Sequence, residues 1–332
     1  MIAKLIVSLP FTLIVPEKQE FQLYESQDSG YSIYFYPPIK IEPSQDNDSI
    51  ENILINNAPA YRANGLQINF KKDSFDRSSG IACDPPEEFI SKTISWFLIR
   101  LRFVTQATQI RLIDFPHISW HLRYLNDDES ELKEEKGQVR GRGARTFKFS
   151  YTAVNNSIWK DVFTLSPDYE PPQWNMLLLD ANAALPEIGP SIVLGATALE
   201  VFIADILNKL AKNSTVPAEL WEWLNNRGNW LKDPSMDEQL DTLLKILLGF
   251  SLKDDGSLWE AYRNLKDARN SFVHEGIASI GKGKKILSEN DTRNLIQKVR
   301  KIIELIQSKL PEPLKCPVYK HDIKVSFSTR IK

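Results

Sequence analysis

Near residue 166 the hydrophobic period of this 332-residue chain changes, and that change limits its possible folds more than any other feature. Upstream, apolar and polar residues alternate with the period of two that lines one face of a strand. Downstream, apolar residues recur every three to four positions, as on a helix face. The switch falls at Ser166-Pro-Asp-Tyr-Glu-Pro-Pro172, three prolines in seven residues with no period of its own. The pattern predicts an α+β domain over 1–165, mostly β with one long helix. A linker over 166–173, an all-α helical bundle over 174–310 and a tail over 311–332 follow.

In the first region, 21–24, 31–36, 65–70, 118–124 and 146–151 read as half-buried strands, rich in aromatic residues. One helix interrupts them. Asp84 is a natural N-cap, Pro85 and Pro86 suit a first turn, and Phe89, Ile90, Ile94, Phe97, Leu98 and Leu101 follow at helical spacing. The acidic run 127–135 and the Gly/Arg stretch 137–145 read as a long, mobile hairpin connection. In the second region, 174–185, 191–212, 217–224, 236–248, 257–275 and 289–310 read as helices. The last carries Leu295, Val299, Ile302, Ile303, Ile306 and Leu310 on one side, a core or dimer seam, and Pro311 and Pro313 stop it. Weak alternation over 320–331 suits an edge strand.

Composition excludes several classes. Gly and Pro together make 33 residues, about a tenth of the chain, and aromatics 10%, so collagenous and disordered chains are ruled out. Net charge is −2, with 19 basic and 21 acidic residues in 1–165 against 22 and 22 in 166–332, so neither half is a polycation. Cys83 and Cys316 lie far apart, which gives neither a disulfide framework nor a zinc spacing and makes a reducing cytoplasm the expected location. The apolar run 3–15 imitates a signal peptide but is broken by Ser8 and Pro10, and is read as a strand or hairpin arm. No other segment approaches the uninterrupted apolar length that spans a bilayer, so no membrane partner is expected.

The most informative stretch is 258–276. Leu258, Tyr262, Leu265 and Phe272 form the apolar stripe of a helix ending at Gly276, and Arg269, Asn270 and His274 stand near its C-terminus. Asn270 and His274 are one turn apart on one face, while Arg269 lies about 140° around from His274. One helix alone does not aim all three at one point. Arg269-Asn-Ser-Phe-Val-His274 resembles the R-x(4–6)-H motif of the HEPN superfamily, including the Asn after the Arg and the Gly soon after the His. The resemblance covers about 174–310, and Ala198-Leu-Glu200 on an earlier helix is similar to the acidic position that many members carry.

The resemblance implies a helical bundle that acts as a metal-independent endoribonuclease, with no cofactor. It implies a homodimer in which two copies of the motif meet in one cleft. His274 is then a general acid or base, Arg269 stabilises charge on the phosphate, and Asn270 orients the phosphate or His274. Such fusions are often toxins or antiviral defence effectors, with an antitoxin or trigger ligand at the first domain. Glu200 has Ala196, Ile203 and Leu207 as helical neighbours, so it is expected to face an apolar surface and to pair with Arg269. Gly281-Lys-Gly-Lys-Lys285 places Lys282, Lys284 and Lys285 in a basic loop suited to an RNA backbone or simply solvated. The segment 275–332 holds 13 basic against 6 acidic residues.

Other constellations read as structural. Asp114, His117 and His121 have no further metal ligand at a telling spacing. Arg140, Arg142 and Arg145 balance the acidic run before them. Trp221, Trp223 and Trp230 suit an elbow between helices better than a base-stacking platform. Two rival functions stay open: a non-catalytic binding or dimerisation module built on the same motif, and a metal-dependent hydrolase built on His117 and His121.

Overall fold

The computed structural model describes residues 1–40, 49–76, 84–110, 119–130, 140–142, 151–213, 216–225 and 233–331. It divides into two compact units, Met1–Tyr169 with Tyr319–Lys332, and Glu170–Val318. The first is mostly β and the second helical. The segment expected as the tail is therefore divided between them.

The first unit is organised by β1 (Ile2–Pro16), whose alternate residues Ala3, Leu5, Val7, Leu9, Phe11 and Leu13 are buried. Pro10 sits inside this strand without breaking it. The register with β5 (Ala58–Lys71) shifts between Ser8 and Leu13, so Pro10 lies where the ladder is interrupted and its missing N–H costs no bond. On its other edge, β1 pairs with β6 (Ser119–Leu125) only over Ile2–Ser8 and then runs parallel to β8 (Tyr151–Ala153) from Thr12 to Ile14. A hairpin of β2 (Tyr24–Asp28) and β3 (Tyr31–Phe35) adds to one end of β5, and β4 (Ser49–Ile55) to the other. Asn56 and Asn57, at φ 48° and 66°, make the two-residue β4–β5 turn. β7 (Arg140–Arg142) pairs with β6 across the acidic connection. The reading of 146–150 as strand, together with Asp114, His117, Arg145 and Cys83, falls outside the described residues.

Three expectations about this unit are corrected. Strand β2 begins at Tyr24 and not at Phe21. Side chains hold the preceding residues instead: Phe21 packs edge-on against Trp159, and Trp159 Nε1 donates to the Gln22 carbonyl at 2.9 Å. The helix α1 runs Glu87–Thr105 with Pro86 at its N-cap, and Asp84 does not cap it. Asp84 instead accepts hydrogen bonds from Tyr31 Oη, Lys72 Nζ (3.0 Å) and the Asp76 amide (3.2 Å), long-range partners that outcompete a local cap. A second helix, α2 (Asn156–Thr164), stands where no helix was expected, capped by the Asn155 side chain on the Ile158 amide.

Between helices and sheet lies an aromatic core of Phe35, Phe97, Trp159 and Phe163. At its edge Arg100 is 1% exposed. Its guanidinium donates to the carbonyls of Leu165 (3.1 Å), Ser166 (2.6 Å), Pro167 (2.8 Å) and Tyr169 (3.1 Å) and stacks 4.0 Å over Trp96. Burial pulls its pKa down, and nearby Tyr319 and Asp168 oppose that shift. The first half of the expected linker is thus an anchored part of this unit. The C-terminal strand β11 (Val325–Ile331) returns to the sheet as an edge strand antiparallel to β4.

In the second unit α3 (Gln173–Ala184) packs along α4 (Ile188–Lys212), which also contacts α8 (Gly256–Glu275) and α9 (Glu289–Lys309). Smaller helices are α5 (Ala218–Asn225) and α6 (Met236–Glu238), the latter continued through a π turn (Gln239–Leu243) into α7 (Leu244–Leu248). Contrary to the expectation from apolar length, α4 is long and apolar enough to cross a membrane by composition. Its apolar residues Ile192, Leu199, Phe202, Ile203 and Ile206 are buried against its neighbours, which accounts for that composition. Likewise Leu295, Val299, Ile302 and Ile306 of α9 lie in this core, which uses the apolar stripe within the chain.

Candidate functional site

The site is built on α8. The Asp255 side chain caps its start by accepting from the Leu258 amide at 3.0 Å, and Leu258, Ala261, Tyr262, Leu265 and Ala268 bury one face. It ends at Gly276, whose φ of 75° is left-handed and whose N–H reaches the Phe272 carbonyl at 2.9 Å. Phe272 fixes this end against α4. A Cβ on Gly189 would lie 2.0 Å from the Phe272 ring, so only glycine admits the ring there.

Arg269 and Asn270 are half-buried and His274 is exposed. Arg269 Nη1 donates to Asn270 Oδ1 at 3.2 Å, and among the described residues neither Arg269 nor His274 makes an ion pair. Between α4 and α8 opens a concavity of about 170 Å³. Arg269, Asn270, Lys266 and Tyr262 of α8 line one side, and Leu199 and Glu200 of α4 with Met236 of α6 line the other. His274 lies outside it. With Leu265, these α8 residues sit at i, i+3, i+4, i+7 and i+8, one helical face, while His274 follows on the exposed side beyond.

Glu200 corrects the sequence expectation. It is exposed, not directed into the apolar face, and no ion pair joins it to Arg269. The structure does place it in the same concavity as Arg269. Its helical neighbours Ala196 and Ile203 are buried, but α8 leaves an opening where Glu200 emerges. Beside the concavity, Asp237, itself partly exposed, accepts from Tyr262 Oη and from Lys266 Nζ at 2.8 Å. Burial pushes the Asp237 carboxyl up, but these hydrogen bonds outweigh it and hold its pKa below the usual range. Burial, with Asp237 and then Glu200 adding charge nearby, raises the Tyr262 pKa. Tyr262 is therefore a protonated donor here. Lys266 and Asp237 were missed in the sequence; the spacing of Lys266 from Arg269 and Asn270 was the available signal.

The basic loop is a tight hairpin between β9 (Ser279–Ile280) and β10 (Lys285–Ile286). Lys282 itself adopts a left-handed φ of 58° between Gly281 and Gly283, and Lys282 and Lys284 are exposed. Lys285 is not free: it pairs with Asp291 at 2.6 Å, a bond that holds the Asp291 carboxyl at about 2, and Asp291 also belongs to the α9 capping box with Ser288. The basic excess of 275–332 is divided as well. Four of its 13 basic residues fall in Tyr319–Lys332 with the first unit, leaving nine basic and five acidic residues in 275–318.

The remaining candidates take ordinary places. Trp221 donates to Asn208 Oδ1 at 2.9 Å and packs on the helical core, Trp223 is exposed, and Trp230 falls outside the described residues. His121 lies on β6, where burial first and then Arg123 and Lys4 lower its pKa. Among the described residues no three His, Cys, Asp or Glu side chains come together as a group able to hold a metal. Compared with known proteins, the chain matches no family model, no curated protein and no solved structure.

Proposed function

We propose that the helical unit is a metal-independent endoribonuclease of the HEPN type, working as a homodimer. The observation that carries this is the end of α8, where Arg269 and Asn270 open into a concavity and His274 stands exposed beyond them, with no ion pair at Arg269 or His274 among the described residues. A guanidinium at an opening and an exposed imidazole on one helix end suit a phosphodiester better than they suit packing.

In the reaction, His274 takes the proton of a ribose 2′-hydroxyl as its oxygen attacks the adjacent phosphorus. The bond from phosphorus to the 5′-oxygen breaks, and that oxygen takes a proton from the acid form of a second His274. The products are a 2′,3′-cyclic phosphate and a 5′-hydroxyl. Arg269 stabilises the charge on the non-bridging oxygens, and Asn270, already bonded to Arg269, orients it. Because one chain supplies one His274, on the far side of the helix from Arg269, a second copy of α8 completes the set. Lys282 and Lys284 extend the basic surface for RNA. A role as toxin or antiviral effector, with the first unit receiving an antitoxin or trigger ligand, fits this activity.

The test is cleavage of total RNA in excess EDTA by wild type, Arg269→Ala and His274→Ala. Each variant is expected to lose about 10²- to 10⁴-fold in rate while keeping its melting temperature, since Arg269 is half-buried and His274 exposed. Wild-type rates in both variants contradict the site. A second reading, a non-catalytic RNA- or nucleotide-binding or dimerisation module, draws on His274 lying outside the concavity with no side-chain hydrogen bond among the described residues to orient it. It expects RNA binding without cleavage even in cells.

A further inference from the structure

The one carboxylate lining the concavity, Glu200, is left unused by packing among the described residues, unlike Asp237 beside it. Asp237 is satisfied by Tyr262 and Lys266, whereas Glu200 has no hydrogen bond or ion pair among the described residues. It lines the concavity together with Tyr262, and its charge adds to the raised Tyr262 pKa. Donors stand across from it: Asn270 accepts from Arg269 at Oδ1 and keeps its amide N–H donors, and Lys266 uses one of three donors on Asp237. Leu199, Met236 and Leu265 supply apolar walls. A volume of about 170 Å³ is below the roughly 300 Å³ at which pockets for drug-sized ligands begin, so the space suits one flat heterocycle.

A carboxylate facing amide and ammonium donors selects among bases. Guanine alone presents two adjacent donors, N1–H and the 2-amino group, beside the O6 acceptor. Adenine and cytosine offer one amino group next to a bare ring nitrogen, and uracil offers a single N–H between two carbonyls that a carboxylate repels.

We propose that this concavity is a guanine subsite, in which Glu200 accepts from N1–H and the 2-amino group of the nucleotide whose phosphate Arg269 holds. The proposal rests on the RNA-directed reading above and adds to it a base preference at the cut. Arg269 lines the same space, so base and phosphate are engaged within the reach of one nucleotide.

Calorimetric titration of the full chain with GMP, IMP, AMP, CMP and UMP tests it, the phosphate being common to all five. GMP is expected to bind at least about tenfold tighter than AMP, CMP or UMP, with IMP, which lacks the 2-amino group, in between. Glu200→Gln is expected to bring GMP down to the AMP level without changing the melting temperature, because Glu200 is exposed. Equal binding of all five, no binding of any, or a GMP preference that survives Glu200→Gln overturns the subsite. RNA cleavage by wild type separates this from the nuclease reading. A protein that cuts with no guanine beside the scissile bond refutes the subsite alone, and one that selects GMP but never cuts RNA refutes the nuclease alone.

Discussion

Arg100 and Arg269 both lie on long helices, one in each unit, and their surroundings are opposite. Arg100 is 1% exposed and spends its donors on four backbone carbonyls between Leu165 and Tyr169. Arg269 is half-buried, gives one hydrogen bond to Asn270, and faces a concavity that also holds Glu200 and Lys266. A buried guanidinium is tolerated only when its hydrogen bonds are made inside the fold, so Arg100 organises the segment Leu165–Tyr169 of its own unit. A guanidinium with donors left over at an opening is available to something else. The difference lies in partners and not in residue type.

That contrast can be broken most strongly from the Arg269 side. Arg269→Ala is expected to leave folding intact while lowering RNA cleavage by about 10²- to 10⁴-fold; a fall in melting temperature with no change in rate reverses its assignment. Next comes Arg100→Ala, which removes the donors for four carbonyls and is expected to cost the first unit about 3 kcal/mol. Urea unfolding followed by tryptophan fluorescence measures this, since Trp96 stacks on Arg100. Gly189→Ala is smaller. The added methyl meets the Phe272 ring, so about 1–3 kcal/mol of overpacking strain and a displaced end of α8 are expected, read as lower melting temperature with weakened cleavage.

The smallest effect is pH-dependent and belongs to the first unit. Burial raises the Asp84 pKa, but hydrogen bonds from Tyr31, Lys72 and the Asp76 amide bring it below the usual value. A depressed carboxylate pKa contributes stability above the unfolded value near 4 that is lost as pH falls through the folded one. Wild type should therefore exceed Asp84→Asn in melting temperature at pH 6, by no more than a few degrees, and the gap should narrow toward pH 3. A constant gap assigns the effect to packing and not to charge.

What the sequence made legible was local. The end of α8 at Gly276 and the spans of α3, α4, α8 and α9 follow from apolar stripes and caps that reside within each element. What it hid depended on partners far along the chain. Asp84 looked like a cap until Tyr31 and Lys72 claimed it, and although 3–15 read as a strand, the β1–β5 register shift that accommodates Pro10 within it was not visible. Helix α2 was hidden because it is short and follows β-rich sequence, its three buried residues Ile158, Trp159 and Val162 being too few to establish a period. At the site, the motif was readable as Arg269, Asn270 and His274. The concavity that unites the first two with Glu200 and excludes His274 arises only where α4 and α8 meet.

The measurement that bears most directly on the proposed chemistry is end-group analysis of RNA incubated with wild type and with His274→Ala in excess EDTA. The account predicts 2′,3′-cyclic phosphate and 5′-hydroxyl ends from wild type and none above background from the variant. Ends of another kind, or cyclic phosphates made equally by the variant, contradict it.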